Sequence, residues 1–393
     1  MRRIKCIFTA CLAEISVCIY QQPTWPKFTW QHEHLEALLG AVRHQQGRVL
    51  GHMEALGFSL QAEALLQTLT LEALKSSEIE GERLPSEQVR SSLARRLGLD
   101  VAGLVPAERR VEGVVDMLLD ATQGFAQPLT GERLCSWQAA LFPAGRSGLR
   151  RIQVGAWRTG AKGPMQVVSG PLGRERLHFE APVAEHVAAE MAQFLSWFNS
   201  ATPLDAVLKA GIAHLWFVTI HPFEDGNGRV ARALTELQLA RADGSAQRFY
   251  SLSAQMRLER TAYYAQLEAA QKGDLDITAW LAWFVACLSR ALKATAQTLA
   301  KVLAKARFWA RYAAFPFNAR QQRLLNHLLD GFEGKLTSSK WAVIAKCSQD
   351  TATRDIQALL NQGILAKEAA GGRSTSYRLV EARGSEPTAS SLR

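Results

Sequence analysis

The segment His221-Pro-Phe-Glu-Asp-Gly-Asn-Gly-Arg-Val-Ala-Arg232 separates two stretches of helical pattern. Within it, the glycines of Asp225–Gly228 permit positive φ angles, so successive backbone N–H groups can point into one concavity. The helix expected to begin near Arg229 directs its positive end toward the same place. Arg229 and Arg232 are three residues apart and therefore occupy neighbouring positions on one helix face. The segment predicts a phosphate-binding loop that leads into a helix.

The charged side chains of this loop indicate what the phosphate site would do. Two guanidiniums match a polyphosphate better than a single carboxylate. Asp225 is acidic in a cationic loop, which is understandable if a magnesium ion bridges it to phosphate oxygens. His221, as a neutral imidazole, can take the proton of an attacking hydroxyl near neutral pH. Asp-Gly-Asn-Gly alone is typical of a plain turn, but the joint array predicts a phosphate site beside a base.

Residues 221–232 also match the Fic motif HPFx[D/E]GNGRxxR at every defined position. The chain resembles the Fic family over roughly residues 105 to 300. The resemblance implies a protein adenylyltransferase that moves AMP from ATP, with Mg²⁺, to a Ser, Thr or Tyr hydroxyl of a target protein or of itself. It implies His221 as the base and Asp225 as the metal ligand. The implied phosphate ligands are Gly226, Asn227, Gly228 and Arg229 for the α and β phosphates, and Arg232 for the γ phosphate.

The segment Ser76–Gly81 ends the third predicted helix, 71–80. Its composition is typical of a solvated acidic helix end with a glycine C-cap. It also resembles the inhibitory motif [S/T]xxxE[G/N] of the family, in the class whose inhibitory helix belongs to the same chain. That resemblance implies an inhibitory role for Ser76 and Glu80. A Glu80 carboxylate paired with Arg232 would occupy the guanidinium that the γ phosphate needs.

The hairpin pattern in the middle of the chain is formed by residues 165–169 and 177–180 around a turn rich in Gly and Pro. The resemblance implies that this hairpin is a flap, which binds the target segment by strand addition through main-chain hydrogen bonds. The flap residues expected to dock the target are Val167, Val168 and Ser169.

Helical periodicity dominates elsewhere, with further helices expected at 35–56 and 60–69, so the predicted fold class is mainly α. Its expected parts are a Fic helical core with a β-hairpin flap, an N-terminal helical domain and a C-terminal winged helix-turn-helix. The expected organisation is a disordered extension over 1–22, the N-terminal domain with the inhibitory helix over 23–105, the catalytic domain over 106–300, a linker helix over 301–318, the winged helix over 319–380 and a disordered tail over 381–393.

The C-terminal pattern reads as three helices and a hairpin, with Ser348 as N-cap of the third helix and Gly371–Arg373 in the wing. Winged helices bind DNA through this third helix, but they also mediate protein contacts, so both kinds of partner stay open. The residues expected on the DNA-facing side are Gln349, Thr351, Thr353 and Arg354.

Bulk properties limit the class of protein. A hydrophobic fraction of 48% and a charged fraction of 21% are ordinary for a globular chain. The net charge of +10 fits either a basic surface or a polyanion ligand. Six widely spaced cysteines indicate neither a zinc site nor a disulfide framework, so a reducing cytoplasm is expected.

The basic and apolar start of the sequence resembles a signal peptide, but Glu14 interrupts the apolar run, which favours a non-functional extension. No membrane span is expected.

Three alternatives to AMP transfer remain at this stage. The same site would serve removal of AMP from a modified protein, with Glu80 positioning water. A DNA-binding regulator whose core senses nucleotides without turnover is the second, although the unbroken motif argues against it. Transfer of another phosphate-containing group is the third. Oligomeric state is not indicated by the sequence.

Overall fold

The computed structural model describes residues 4–7, 18–54, 58–99, 104–170, 174–329, 334–368 and 375–380. It confirms the mainly α fold class. The chain forms two compact units, residues 1–296 and 297–393. Among the described residues, no helix is both long enough and apolar enough to cross a membrane.

The first unit is mostly helical. Its helices are α1 (His32–Glu54), α2 (Phe58–Ile79), α3 (Ser86–Arg96), α4 (Arg109–Gln123), α5 (Gly131–Leu141), α6 (Ala184–Asn199), α7 (Ala206–Ile220), α8 (Asn227–Asp243), α9 (Leu252–Leu258), α10 (Arg260–Gln271) and α11 (Thr278–Arg311), the last continuing past the unit boundary. Its strands are β1 (Ile4–Ile7), β2 (Arg146–Ser147), β3 (Arg150–Arg151), β4 (Gln166–Ser169) and β5 (Arg176–Glu180).

Helices α7 and α8 pack against each other at the centre of this unit. Every residue of α7 from Val207 to Ile220 is buried, as expected for a helix that is apolar on all sides. Asp205 caps its first turn by accepting hydrogen bonds from the N–H groups of Val207 (2.7 Å) and Leu208 (3.3 Å). The loop that joins α7 to α8 is therefore anchored at both ends in the core.

The N-terminal helices differ from the prediction in one respect. The two helices expected at 60–69 and 71–80 are one continuous helix, α2. No glycine or proline interrupts this stretch, and the Thr70 hydroxyl donates to the Leu66 carbonyl at 2.6 Å within the helix. Helix α2 packs on α3, α8 and α9, and the left-handed Gly81 (φ 80°) turns the chain after its end.

The predicted hairpin is present as β4 and β5, and it belongs to a three-stranded antiparallel sheet in the order β1-β4-β5. The prediction of a disordered extension over 1–22 is wrong for residues 4–7 and 18–22. Residues 4–7 pair with β4, and Ile19 is fully buried beside Cys18. Cys18 packs with Met165 and Phe179, so apolar burial holds this segment on the sheet. Residues 1–3 and 8–17 lie outside the described part.

Three other features were not expected. Residues 146–151 form a second short hairpin, β2–β3. Helices α9 and α10 occupy a stretch for which no helix was predicted. The expected boundary at residue 300 falls inside α11, which continues to Arg311 because the Ala- and Lys-rich sequence contains no helix breaker before Pro316.

The second unit contains α12 (Ala319–Leu329), α13 (Ser338–Ala345), α14 (Gln349–Asn361) and the strands β6 (Leu365–Lys367) and β7 (Tyr377–Leu379). Ser348 caps α14 by accepting from the Thr351 N–H at 3.3 Å. On α14, Gln349, Thr353 and Arg354 are exposed and Thr351 is half-buried. DNA contact through these residues stays a prediction, and the tail 381–393 lies outside the described residues.

Candidate active site

A cavity of about 1230 Å³ opens over the α7–α8 loop. Five parts of the first unit form most of its wall: the loop itself, the chain after α2, the segment 141–152 with the β2–β3 hairpin, the strands β4 and β5, and helix α10. Wall residues from the loop are His221, Asp225, Gly226, Asn227, Gly228 and Arg229. From the other parts the wall includes Glu80, Glu82, Val167, His178, Tyr263 and Tyr264.

The loop agrees with its prediction at Gly226 but not throughout: Gly228 lies inside α8, which begins at Asn227 rather than near Arg229, and the left-handed His221 was not predicted. Gly226 has φ 91° immediately before α8, and His221 adopts a left-handed conformation (φ 52°) at the end of α7. The Asn227 side chain accepts from the Phe223 N–H at 3.0 Å and donates to the Phe223 carbonyl at 2.8 Å. Because its amide is used in this way, Asn227 offers an anion its backbone N–H at the helix start rather than its side chain.

The His221 ring is held in one tautomer. Its Nδ1 lies 3.1 Å from the Val218 carbonyl oxygen, which can only accept, so Nδ1 carries the proton and the lone pair is on Nε2. His221 is 8% exposed, and burial lowers its pKa from 6.5 to about 4. The nearby Arg158 lowers the pKa further, and Asp225 and Glu80 oppose the shift. The ring is therefore neutral at physiological pH, with its Nε2 lone pair available to accept a proton.

Arg158, which sequence reasoning missed, positions this histidine. Its buried side chain donates through Nε to the His221 carbonyl at 2.8 Å and through Nη2 to the Pro182 carbonyl. Its backbone N–H donates to the Pro222 carbonyl at 2.8 Å. An isolated arginine 63 residues from the loop gives no signal in the sequence, because only the folded chain brings the two together.

Arg232 is covered by the end of α2. Its Nε donates to the Ser76 hydroxyl at 2.9 Å, and its Nη2 donates to the Ser76 carbonyl at 2.8 Å and to Glu80 Oε1 at 2.9 Å. The guanidinium is only 2% exposed. A Cβ on Gly228 would lie 2.2 Å from Glu80 Oε1, so the glycine leaves the space that this carboxylate uses.

Arg229 has a carboxylate partner that the sequence did not indicate. Its Nη1 donates to Glu82 Oε2 at 2.8 Å, and its guanidinium lies 4.9 Å from the centre of the Phe142 ring. Both arginines assigned to phosphates by the motif therefore pair with acidic residues that follow one another closely in the chain after α2.

Asp225 presents a carboxylate to the cavity. Its Oδ1 accepts from the Gly226 N–H at 2.6 Å and its Oδ2 from the Ser147 hydroxyl of β2. The described residues contain no cluster of three or more His, Cys, Asp or Glu side chains that could hold a metal. One carboxylate fits Mg²⁺ when phosphate oxygens and water complete the coordination, so Asp225 suits a metal that arrives with a nucleotide.

The flap residues Val167, Val168 and Ser169 are paired on both sides, with β5 and with Cys6, Lys5 and Ile4 of β1. A hydrogen-bonded chain fastens the flap to α10. Ser169 Oγ lies 2.6 Å from His178 Nε2, and His178 Nδ1 lies 2.6 Å from Glu268 Oε2. Partial burial raises the pKa of Glu268, but the hydrogen bonds from Lys272 and His178 outweigh it and help to lower the pKa to about 2.

We expect the His221 ring to titrate at about pH 4, because burial disfavours its charged form. The folded pKa lies below the unfolded value of 6.5, so His221 contributes stability above pH 6.5 that is lost as the pH falls toward 4. An NMR titration of ring Cε1–H signals tests this, with the His221→Asn protein identifying the signal. A midpoint near 6.5 would show that the ring is solvated rather than buried.

Two family models match the chain. Residues 128–239 match the Fic/DOC family, and residues 18–99 match a domain of unknown function, DUF4172. Over 97 residues the chain is 40% identical to protein adenylyltransferase fic-1 of Caenorhabditis briggsae, a match of 24% of this chain and 18% of that protein. Over 93 residues it is 38% identical to fic-1 of Caenorhabditis elegans, covering 23% of this chain and 17% of that one. The chain thus spans less than a fifth of the length of these relatives.

Among solved structures, the chain is similar to a Fic family protein from Desulfovibrio desulfuricans G20. The TM-score is 0.52 at 20% identity, over 91% of this chain and 98% of that one. At this identity the likeness concerns the fold alone.

Proposed function

The chain contains a Fic domain over residues 128–239, and from that premise we propose that it is a protein adenylyltransferase held in an inhibited state by Glu80. The observation that carries the proposal is the neutral, deeply buried His221 at one end of a loop whose other end presents two buried arginines and a helix N-terminus. Nucleotidyl transfer to a hydroxyl requires a base beside a polyphosphate site, and this arrangement supports the proposal.

In the proposed reaction, the target hydroxyl oxygen attacks the α phosphorus of ATP. A new P–O bond forms to the target, the bond from the α phosphorus to the bridging oxygen breaks, and pyrophosphate leaves. His221 Nε2 takes the hydroxyl proton, while the Val218 carbonyl holds Nδ1–H and so orients the ring. Mg²⁺ bound at Asp225 would neutralise phosphate charge. Arg229 and the first N–H groups of α8 would hold the α and β phosphates, and Arg232 the γ phosphate.

The flap would bind the target segment along β4. Because residues 4–7 already pair with this edge, a target strand has to displace β1 before it can form its own main-chain hydrogen bonds. The flap stays positioned meanwhile, since the contact of His178 with Glu268 involves β5 and α10 rather than the β4 edge.

Incubation with ATP and magnesium is expected to add one AMP to the protein itself or to an added target, because the base precedes the loop and both arginines lie in the first turns of α8 directly after it. Intact-mass spectrometry followed by peptide sequencing measures this. The Glu80→Gly protein is the appropriate sample, since its γ-phosphate site is open. A protein pre-loaded with AMP that loses it under the same conditions would support the AMP-removing alternative, and nucleotide binding without any adduct would support a sensor.

A further inference from the structure

Glu82 lies two residues after Glu80 and forms an equivalent ion pair with Arg229, the other arginine of the motif. The Glu82–Arg229 distance is 2.8 Å and the Glu80–Arg232 distance is 2.9 Å. The exposed fractions also match: 7% for Arg229 and 28% for Glu82, against 2% and 27% in the other pair. On geometry alone, Glu82 restrains Arg229 as closely as Glu80 restrains Arg232.

Arg229 is the fixed member of its pair. Its guanidinium is buried against the Phe142 ring, and within the described part of the chain its Nε makes no hydrogen bond. A buried guanidinium donor without an acceptor is costly, so this group is suited to receive a further anion from the cavity. Because Arg229 is held in place, an incoming phosphate competes with Glu82, which is the more exposed and movable partner.

Glu82 also has a second cation within reach. Arg110 Nη1 lies 3.7 Å from Glu82 Oε1, and the Arg110 side chain is 44% exposed. A Glu82 carboxylate that leaves Arg229 can therefore stay near a positive charge instead of becoming unpaired. This lowers the cost of displacing Glu82 and makes its effect on ligand affinity moderate.

We propose that Glu82 is a determinant of nucleotide affinity that acts on the α and β phosphates, whereas Glu80 acts on the γ phosphate. The inference rests on the proposed function, because that function assigns Arg229 and Arg232 to these phosphates. ADP has the α and β phosphates but not the γ phosphate. Glu82 therefore weakens the binding of ADP and ATP alike, and Glu80 weakens the binding of ATP only.

Calorimetric titrations of the full chain test the assignment. The ligands are Mg-ADP and Mg-ATP with a methylene group between the α and β phosphorus atoms, which blocks transfer. Glu82→Gln is expected to lower Kd for both ligands by roughly two- to fivefold, in the range of partly exposed ion pairs. Glu80→Gln is expected to lower Kd for the ATP analogue and to leave that for ADP within about twofold.

Glu78→Gln is the matched control, since Glu78 lies on the same helix end but pairs with Lys75 at 2.8 Å and Arg257 at 3.5 Å, not with Arg229 or Arg232. Circular dichroism melting verifies that each variant is folded. If Glu82→Gln leaves the ADP affinity unchanged, or tightens only the ATP analogue, the role of Glu82 is refuted while the proposed function stands. If the chain and all variants bind neither nucleotide, both are refuted.

Discussion

The Glu80→Gly protein is expected to transfer AMP roughly tenfold to a hundredfold faster than the unaltered chain. Removing the carboxylate ends a charge-assisted hydrogen bond to a buried guanidinium, an interaction of about 1.5–3 kcal/mol. Arg232 keeps its two contacts with Ser76, so it stays in place, and the Nη2 N–H that donates to Glu80 becomes available to a γ phosphate. Glu80 lies just beyond α2, so glycine there does not interrupt the helix.

The measurement uses ATP labelled at the α phosphate, with ATP labelled at the γ phosphate as the control that distinguishes AMP transfer from phosphorylation. Glu78→Gln is the matched variant, because it removes a neighbouring carboxylate that does not contact the loop. Equal or lower incorporation in Glu80→Gly, with the protein folded and ATP bound, would show that Glu80 does not inhibit. A gain of the same size in Glu78→Gln would point to a loosened helix end.

Local features of the site were predictable from the sequence. The positive φ angle at Gly226 and the start of a helix within the motif follow from residues within one short segment. The pairing of Glu80 with Arg232 also agrees with what the resemblance implies. Each residue belongs to a short motif, 76–81 or 221–232, that can be recognised in the sequence without knowledge of the fold.

Contacts between distant residues were not predictable in this way. Glu82 and Arg229 are 147 positions apart, and the Glu82 side chain looks like any solvated acid in the sequence. Arg158 beneath His221 and the pairing of residues 4–7 with β4 depend on the assembled fold in the same manner. An apolar N-terminal stretch can be a disordered extension or an added strand. Which of the two it forms depends on whether the folded chain offers a free strand edge for it to pair with, as β4 does here.

The helices α9 and α10 were missed for a related reason. Helix α10 contains the adjacent tyrosines Tyr263 and Tyr264, and in the sequence this pair is not distinguishable from an ordinary core aromatic pair. In the structure, Tyr263 donates or accepts at 2.8 Å with the buried, neutral His214, whose ring also contacts Thr235 of α8 at 2.9 Å. These hydrogen bonds connect α10 to α8 through His214. Helix α10 therefore forms part of the cavity wall, although it contains no residue of the motif.

Replacing His221 is expected to reduce AMP transfer by about 10²–10⁴-fold and to leave ATP affinity within about twofold, because a general base acts on the attacking hydroxyl and not on the phosphates. The residue has φ 52°, where alanine is strained by about 1–2 kcal/mol and asparagine is better tolerated. His221→Asn is therefore the primary variant, with His221→Ala as its partner. Both are made in the Glu80→Gly background, where transfer is large enough for a loss of this size to be measured.

Transfer rates and ATP-analogue affinities of the two variants are measured together, with thermal melting as the control for folding. If both lose transfer and keep binding, the loss lies in the chemical step, since Asn restores the backbone conformation but supplies no base. If His221→Asn retains most of the transfer while His221→Ala loses it, the ring matters only for the shape of the loop. The proton would then have to leave by another route, and the neutral, oriented imidazole would not be the base.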